Sequence, residues 1–166
     1  MTTRKRLATA LTLLLMVVAT ESLFATGEEI PPVYNFRETG QNSKQKAIPI
    51  TVFVSRVACP YCRTLRDTIL MPMLAADKFE GRAILVEVSL DRTDPFIGFE
   101  NQQMTARAFG QLYRAEITPT LLFLDSEGRE IGKRVIGISN LEFYGHYLKK
   151  SIDEALLVLR SEKQLN

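Results

Sequence analysis

Between residues 47 and 162 short β-branched apolar runs alternate with stretches that carry apolar residues at helical spacing. The first run, residues 48–54, is rich in Ile, Val and Thr and predicts a strand. Pro49 stands near its first residue, where a missing N–H is tolerated. Residues 60–76 place Leu65, Ile69, Leu70, Met73 and Leu74 near helical spacing, and Pro72 is expected to kink or end the first part of that helix. Residues 82–90 predict a second strand. Strand, helix, strand in this order predicts a parallel pair with a right-handed crossover. Residues 91–103, with Asp94-Pro95 and Gly98, read as a loop-like insert, and residues 104–114 as a helix through Ala106, Phe109, Leu112 and Tyr113. Residues 120–124 predict a third strand. The turn Asp125-Ser126-Glu127-Gly128 leads to a fourth at 130–136, antiparallel to the third. Ser139 and Glu142 have capping-box spacing. They head a final helix to about residue 162, with Tyr144, Leu148, Ile152, Leu156 and Leu159 near one face. No repeat and no second domain is evident.

The N-terminal part follows different rules. Residues 1–25 read as a signal peptide: Arg4, Lys5 and Arg6 precede an uncharged, mostly apolar run from Leu7 to Thr20, which Glu21 ends. The run is shorter than the roughly 20 residues that span a bilayer. Ala19 and Ala25 both offer a cleavage position; an uncleaved inner-membrane anchor facing the periplasm is the alternative. Residues 26–46 are polar and read as a leader into the domain, with a short helix near 37–46.

Composition narrows the function without naming it. The chain has 166 residues, a length that suggests one domain. With 21 basic and 19 acidic residues, its charge is too balanced to argue for nucleic acid. Its two cysteines are the informative residues. They form Cys59-Pro60-Tyr61-Cys62, between the first predicted strand and the first predicted helix. A cysteine at a helix N-terminus faces unpaired N–H groups and the positive end of the helix dipole, which favour the thiolate. Cys62, about one turn on, can reach Cys59 and resolve a mixed disulfide, and Pro60 suits the first helical turn. A structural disulfide or half of a metal site are the other readings. A zinc site needs about four ligands, and His146 lies far along the chain, where it reads as a surface or packing residue. Tyr144 and Tyr147 read as core or rim. Phe96 and Phe99 suit a partner groove or simple loop packing. No metal or other cofactor is expected beyond the redox pair itself.

The order β-α-β-α-β-β-α with C-x-x-C after the first strand resembles thioredoxin over about residues 47–160. The resemblance implies an α/β thioredoxin fold, a central mixed four-stranded sheet flanked by helices, in a domain spanning 47–162. Ile117-Thr118-Pro119-Thr120 matches the family's second motif. It implies that Pro119 is cis beside the cysteines and shapes the substrate groove, with the Thr118 backbone pairing with a substrate strand. Pro60 and Tyr61 would join them in substrate contact. More narrowly, the chain looks like periplasmic thioredoxin-like proteins of the kind associated with bacterial sulfur oxidation. The features in common are the signal peptide, Cys59-Pro60-Tyr61-Cys62, the run from Thr118 to Asp125, and Gly137. Cys-Pro-Tyr-Cys also matches glutaredoxins, but no glutathione-binding signature is evident.

Three departures from thioredoxin bear on mechanism. Ala58 stands where the family has tryptophan, Pro60-Tyr61 replaces Gly-Pro, and Phe53 replaces the buried aspartate that helps deprotonate the resolving thiol. Glu87, mid-strand among apolar residues, is the candidate proton acceptor in its place; a solvent-facing glutamate on an alternating strand is the plainer reading. The function expected is a periplasmic thiol–disulfide oxidoreductase acting on protein or small-molecule thiols and disulfides. The resemblance points to a reductant fed by an inner-membrane electron donor. An oxidase or isomerase would use the same residues. A Cu(I)-binding metallochaperone-like module is the alternative from another class.

Overall fold

The structure is a computed structural model that describes residues 29–165, with side chains to residue 162. The signal-peptide expectation for 1–25 lies outside the described residues. Helix α1 spans Phe36–Lys46. Strand β1, Ile50–Ser55, leads into helix α2, Pro60–Leu65. A π-helical turn, Arg66–Leu70, joins α2 to helix α3, Met71–Ala75. Strand β2 is Ile84–Ser89. Strands β3, Phe96–Ile97, and β4, Gln103–Met104, precede helix α4, Ala106–Leu112. Strands β5, Thr120–Leu124, and β6, Val135–Ile136, precede the last helix α5, Tyr144–Leu165.

Four strands form one mixed sheet, as expected, in the order β2-β1-β5-β6. Strand β1 runs parallel to β2 and antiparallel to β5, and β5 runs antiparallel to β6. Both faces of the sheet are covered, so β1 and β5 are buried along their whole length and read as continuous apolar runs. Side-chain alternation then sorts the core. Phe53, Leu85, Leu121 and Phe123 face α2 and α5, packing with both cysteines, Leu65, Tyr144, Leu148 and Ile152. Val52, Val54, Val86, Val88, Leu122 and Leu124 face the other way, against Phe36, Phe96 and Phe109.

Four details differ from the sequence reading, each for a local reason. First, the stretch read as a leader is built into the domain. Ile30, Val33 and Phe36 are buried, and the backbone of Pro31 and Val33 hydrogen-bonds to Glu87 along the edge of β2 at 2.9 and 3.0 Å. Three apolar residues scattered among polar ones gave little periodic signal. Second, the insert 91–103 holds the β3–β4 pair. Its Phe96 and Phe99 lie 5.6 and 4.7 Å from the Phe36 ring, inside an aromatic cluster. Third, the predicted fourth strand pairs only at Val135–Ile136, with an isolated bridge from Glu130 to Leu124. Fourth, the last helix is not started by the Ser139–Glu142 capping box. The Asn140 side-chain carbonyl accepts from the Glu142 and Phe143 N–H groups at 3.0 and 3.4 Å, an Asx turn that leaves the helix to begin at Tyr144.

Pro72 does not end the helical run, which continues through Ala75. A proline ring crowds the carbonyl four residues before it and removes one helical hydrogen bond. The π turn lies immediately upstream, where the Met71 N–H reaches back to Arg66. The wider turn takes up the misfit, so the helical run continues from α2 into α3.

Helix α1 packs so closely on the β5–β6 turn that Gly40 has no room for a side chain. A Cβ there would stand 2.3 Å from the Ser126 carbonyl oxygen. Helix propensity alone would make Gly40→Ala stabilising by about 1 kcal/mol, but backbone against Cβ cannot be relieved by a rotamer change. We expect Gly40→Ala to destabilise the protein by about 1–3 kcal/mol in urea unfolding, the usual range for overpacking. A raised midpoint would show that α1 is free to shift.

Candidate active site

The site begins where β1 stops. Ser55 closes the strand, residues 56–58 turn across the end of the sheet, and Cys59 takes the N-cap position of α2 with extended backbone angles. Pro60 then occupies the first turn, where its missing N–H costs nothing. The Cys59 sulfur accepts a hydrogen bond from the Cys62 N–H at 3.1 Å, as a capping oxygen would. A thiolate at Cys59 would meet the same N–H, and a hydrogen bond to the charged form favours it. Cys59 and Cys62 are joined by a disulfide. Cys59 is 8% exposed and Cys62 1%, so an incoming sulfur meets Cys59 first.

The second motif arrives from the start of β5. The Thr118–Pro119 peptide is cis. The Thr118 carbonyl oxygen lies 3.8 Å from the Cys59 sulfur and its hydroxyl oxygen 3.6 Å. The Pro119 carbonyl is already taken, accepting from the Gly137 N–H at 2.8 Å. Cys59, Cys62, Pro60, Thr118 and Pro119 are thus brought together from distant parts of the chain. Tyr61 projects beside them, 66% exposed. Val57, just before the first motif, and Ile117, the first residue of the second, are also largely exposed. Neither was expected to be, since a single apolar residue in a strand-rich chain carries no sign of exposure.

Glu87 lies on the sheet face that packs against the cysteines. It is the register partner of Phe53, so a carboxylate stands on β2 directly opposite the position where the resemblance expects an acid on β1. It is not solvent-facing: its side chain is 11% exposed. Ser55 donates its hydroxyl proton to the carboxylate and Arg66 pairs with it. Arg66 begins the π turn, one helical turn beyond Cys62, and its guanidinium lies 5.4 Å from the Phe53 ring centre. The sequence reading did not single out Arg66 or Ser55. Arg66 sits at i+4 from Cys62, a spacing that puts the two on one side of a helix.

The other candidates fall where the plain reading put them. His146 lies beside Tyr147 at a ring distance of 6.0 Å on the exposed side of α5. Tyr144 is buried, which pushes its phenol well above the usual range. Among the described residues no group of three or more His, Cys, Asp or Glu side chains converges as a metal site.

The description "Thioredoxin-like domain" fits residues 36–152 of the chain. No curated protein matches it in sequence. Among solved structures, "DsbH Oxidoreductase" superposes with a TM-score of 0.55 at 20% identity, covering 84% of this chain and 98% of that one. Oxidised mitochondrial thioredoxin 3 from Saccharomyces cerevisiae superposes at 0.50 with 18% identity, covering 75% and 94%. These likenesses concern the fold. The chain belongs to the thioredoxin-like family, and it carries that family's C-x-x-C pair at the helix N-terminus, the constellation of a thiol–disulfide oxidoreductase.

Proposed function

We propose that the protein is a periplasmic reductant of protein or small-molecule disulfides. The observation that carries the redox reading is the asymmetry of the pair: a slightly exposed Cys59 at the helix N-cap beside a fully enclosed Cys62. The Cys59 thiolate attacks one sulfur of a substrate disulfide, and the substrate's other sulfur leaves as a thiolate. Cys62 then loses its proton and attacks the Cys59 sulfur, expelling the second substrate thiolate. Two electrons pass to the substrate and the Cys59–Cys62 disulfide forms. Glu87 receives the Cys62 proton in this scheme, held ready by Ser55 and Arg66. Thr118 and Pro119 position the substrate chain beside Cys59, and Tyr61 with Pro60 forms the opposite lip.

Localisation and direction rest on different support. The basic and apolar pattern of residues 1–25 supports export, and exported proteins are where disulfides persist. Among the described residues no helix is long and apolar enough to cross a membrane. A reductant outside the cytoplasm needs electrons from within, which an inner-membrane thiol donor supplies. The reduction potential of the Cys59/Cys62 couple tests the direction. A value near about −270 mV, measured against glutathione or dithiothreitol, is expected; one near about −120 mV would make the protein an oxidant.

A further inference from the structure

An open cleft of about 280 Å³ flanks the active site on the β2 side. Its lining includes Ser55, Arg56, Arg66, Glu87, Ser89 and Arg92. It lies at the carboxyl ends of two parallel strands: Ser55 and Ser89 are the last residues of β1 and β2 and pair in register. In open α/β sheets this is the end where ligands bind. The geometry points to a site here for a small oxyanion or a carboxylate group, held by Arg92 with the Ser89 hydroxyl as an added donor.

Charge accounting supports the sign. Glu87 is neutralised by Arg66 and further satisfied by Ser55. Asp91 is taken by Arg56 at 3.4 Å and by the Val57 N–H at 2.8 Å. Arg92 has no carboxylate partner among the described residues. Its guanidinium donates to the Val33 carbonyl at 2.5 Å and lies over the Tyr34 and Phe96 rings at 4.7 and 5.9 Å. A planar guanidinium fixed in this way keeps donors free for a bidentate acid. The Ser89 hydroxyl is the second, independent sign. Ser89 is a part-buried residue of the cleft lining, and its enclosed hydroxyl oxygen has no hydrogen-bond partner in the protein. A buried hydroxyl without a partner is costly, and an anion's oxygen seated over Ser89 supplies the acceptor it lacks once the side chain turns toward the cleft. Arg56 and Val57 line the cleft three and two residues before Cys59, which connects the cleft to the active-site turn. Use of the site by a disulfide substrate rests on the redox reading; the binding itself does not.

The test is a titration of the oxidised full chain with inorganic sulfate, followed by amide NMR. Saturable shifts confined to the neighbourhood of Ser55, Val57, Ser89 and Arg92 are expected. Arg92→Gln is expected to weaken the affinity about ten-fold or more, and Ser89→Ala about three-fold. Ser89→Ala removes one oxygen atom and guards against loss of folding in the arginine variant. Non-saturating shifts in the wild type, or wild-type affinity in either folded variant, overturn the assignment. Kinetics then distinguish the source of the anion. If the site receives the substrate's own acid, sulfate raises KM for an acidic aromatic disulfide and leaves a neutral pyridyl disulfide unaffected. If sulfate binds but competes with neither, the site serves a free anion. Failure of the protein to reduce any disulfide would instead strike the redox reading and leave the titration result standing.

Discussion

Replacing Cys59 with serine is expected to abolish disulfide exchange, whereas replacing Cys62 is expected to stop the reaction half-way. The two sulfurs differ in both access and electrostatics. Cys59 caps α2, faces the Cys62 N–H and is the more exposed of the pair. Cys62 lies inside the helix with 1% exposure, where help from the helix dipole has largely faded. In Cys62→Ser the attack on substrate survives, but nothing displaces the second substrate thiolate, so mixed disulfides through Cys59 accumulate. In Cys59→Ser no adduct forms, and turnover falls to the background rate. Non-reducing gel mobility with mass spectrometry of trapped adducts checks both outcomes and also identifies natural substrates. Adducts formed only by Cys59→Ser would exchange the two roles.

Glu87→Gln is expected to give the second largest effect, a loss of about 100-fold in the resolving step near neutral pH. That is the lower range for a positioned general base. Glutamine keeps the size and hydrogen-bonding capacity of the side chain but cannot take a proton, and it leaves Arg66 without its carboxylate. The first attack, which needs only the Cys59 thiolate, should slow far less. The split between the two steps separates proton transfer from general damage to the fold. Stopped-flow measurement of mixed-disulfide decay, followed from pH 6 to pH 9, checks it. The variant should recover as pH rises and Cys62 ionises without help. Equal slowing of both steps at every pH would instead assign Glu87 a purely structural part, anchoring Arg66 and the end of β1.

The central architecture was open to reading because its signals are local and strong. The β-branched runs of β1 and β5, the Cys59–Cys62 spacing and the Thr118–Pro119 motif each announce themselves within a few residues. What the sequence hid depends on partners far along the chain. Ile30, Val33 and Phe36 look like stray apolar residues in a polar leader until β2 and the insert supply their neighbours. The insert itself has two-residue strands, too short to show alternation. Glu87 was recognised as an oddity on β2, yet its environment is set by Ser55 on β1 and Arg66 on the π turn. That turn lies just upstream of Pro72, which was expected to kink or end the helix, whereas the helical run continues through Ala75. Ser139 and Glu142 matched a capping pattern by spacing alone, and Asn140, one residue on, offered the nearer acceptor. Exposure at Val57 and Ile117 was invisible because it depends on where the sheet ends, not on residue type.

The assignment of Cys59 as the nucleophile is tested most directly by the rate of thiol alkylation against pH. The fully reduced protein is treated with a small alkylating reagent across pH 4–9, and each cysteine is quantified by peptide mass spectrometry. The account predicts that Cys59 is labelled first, with its reactivity already developed at mildly acidic pH, well below the ordinary thiol range of about 8.5. Cys62 should label slowly and only at higher pH. Labelling of Cys62 ahead of Cys59, or equal labelling of both with an ordinary thiol profile, would contradict it.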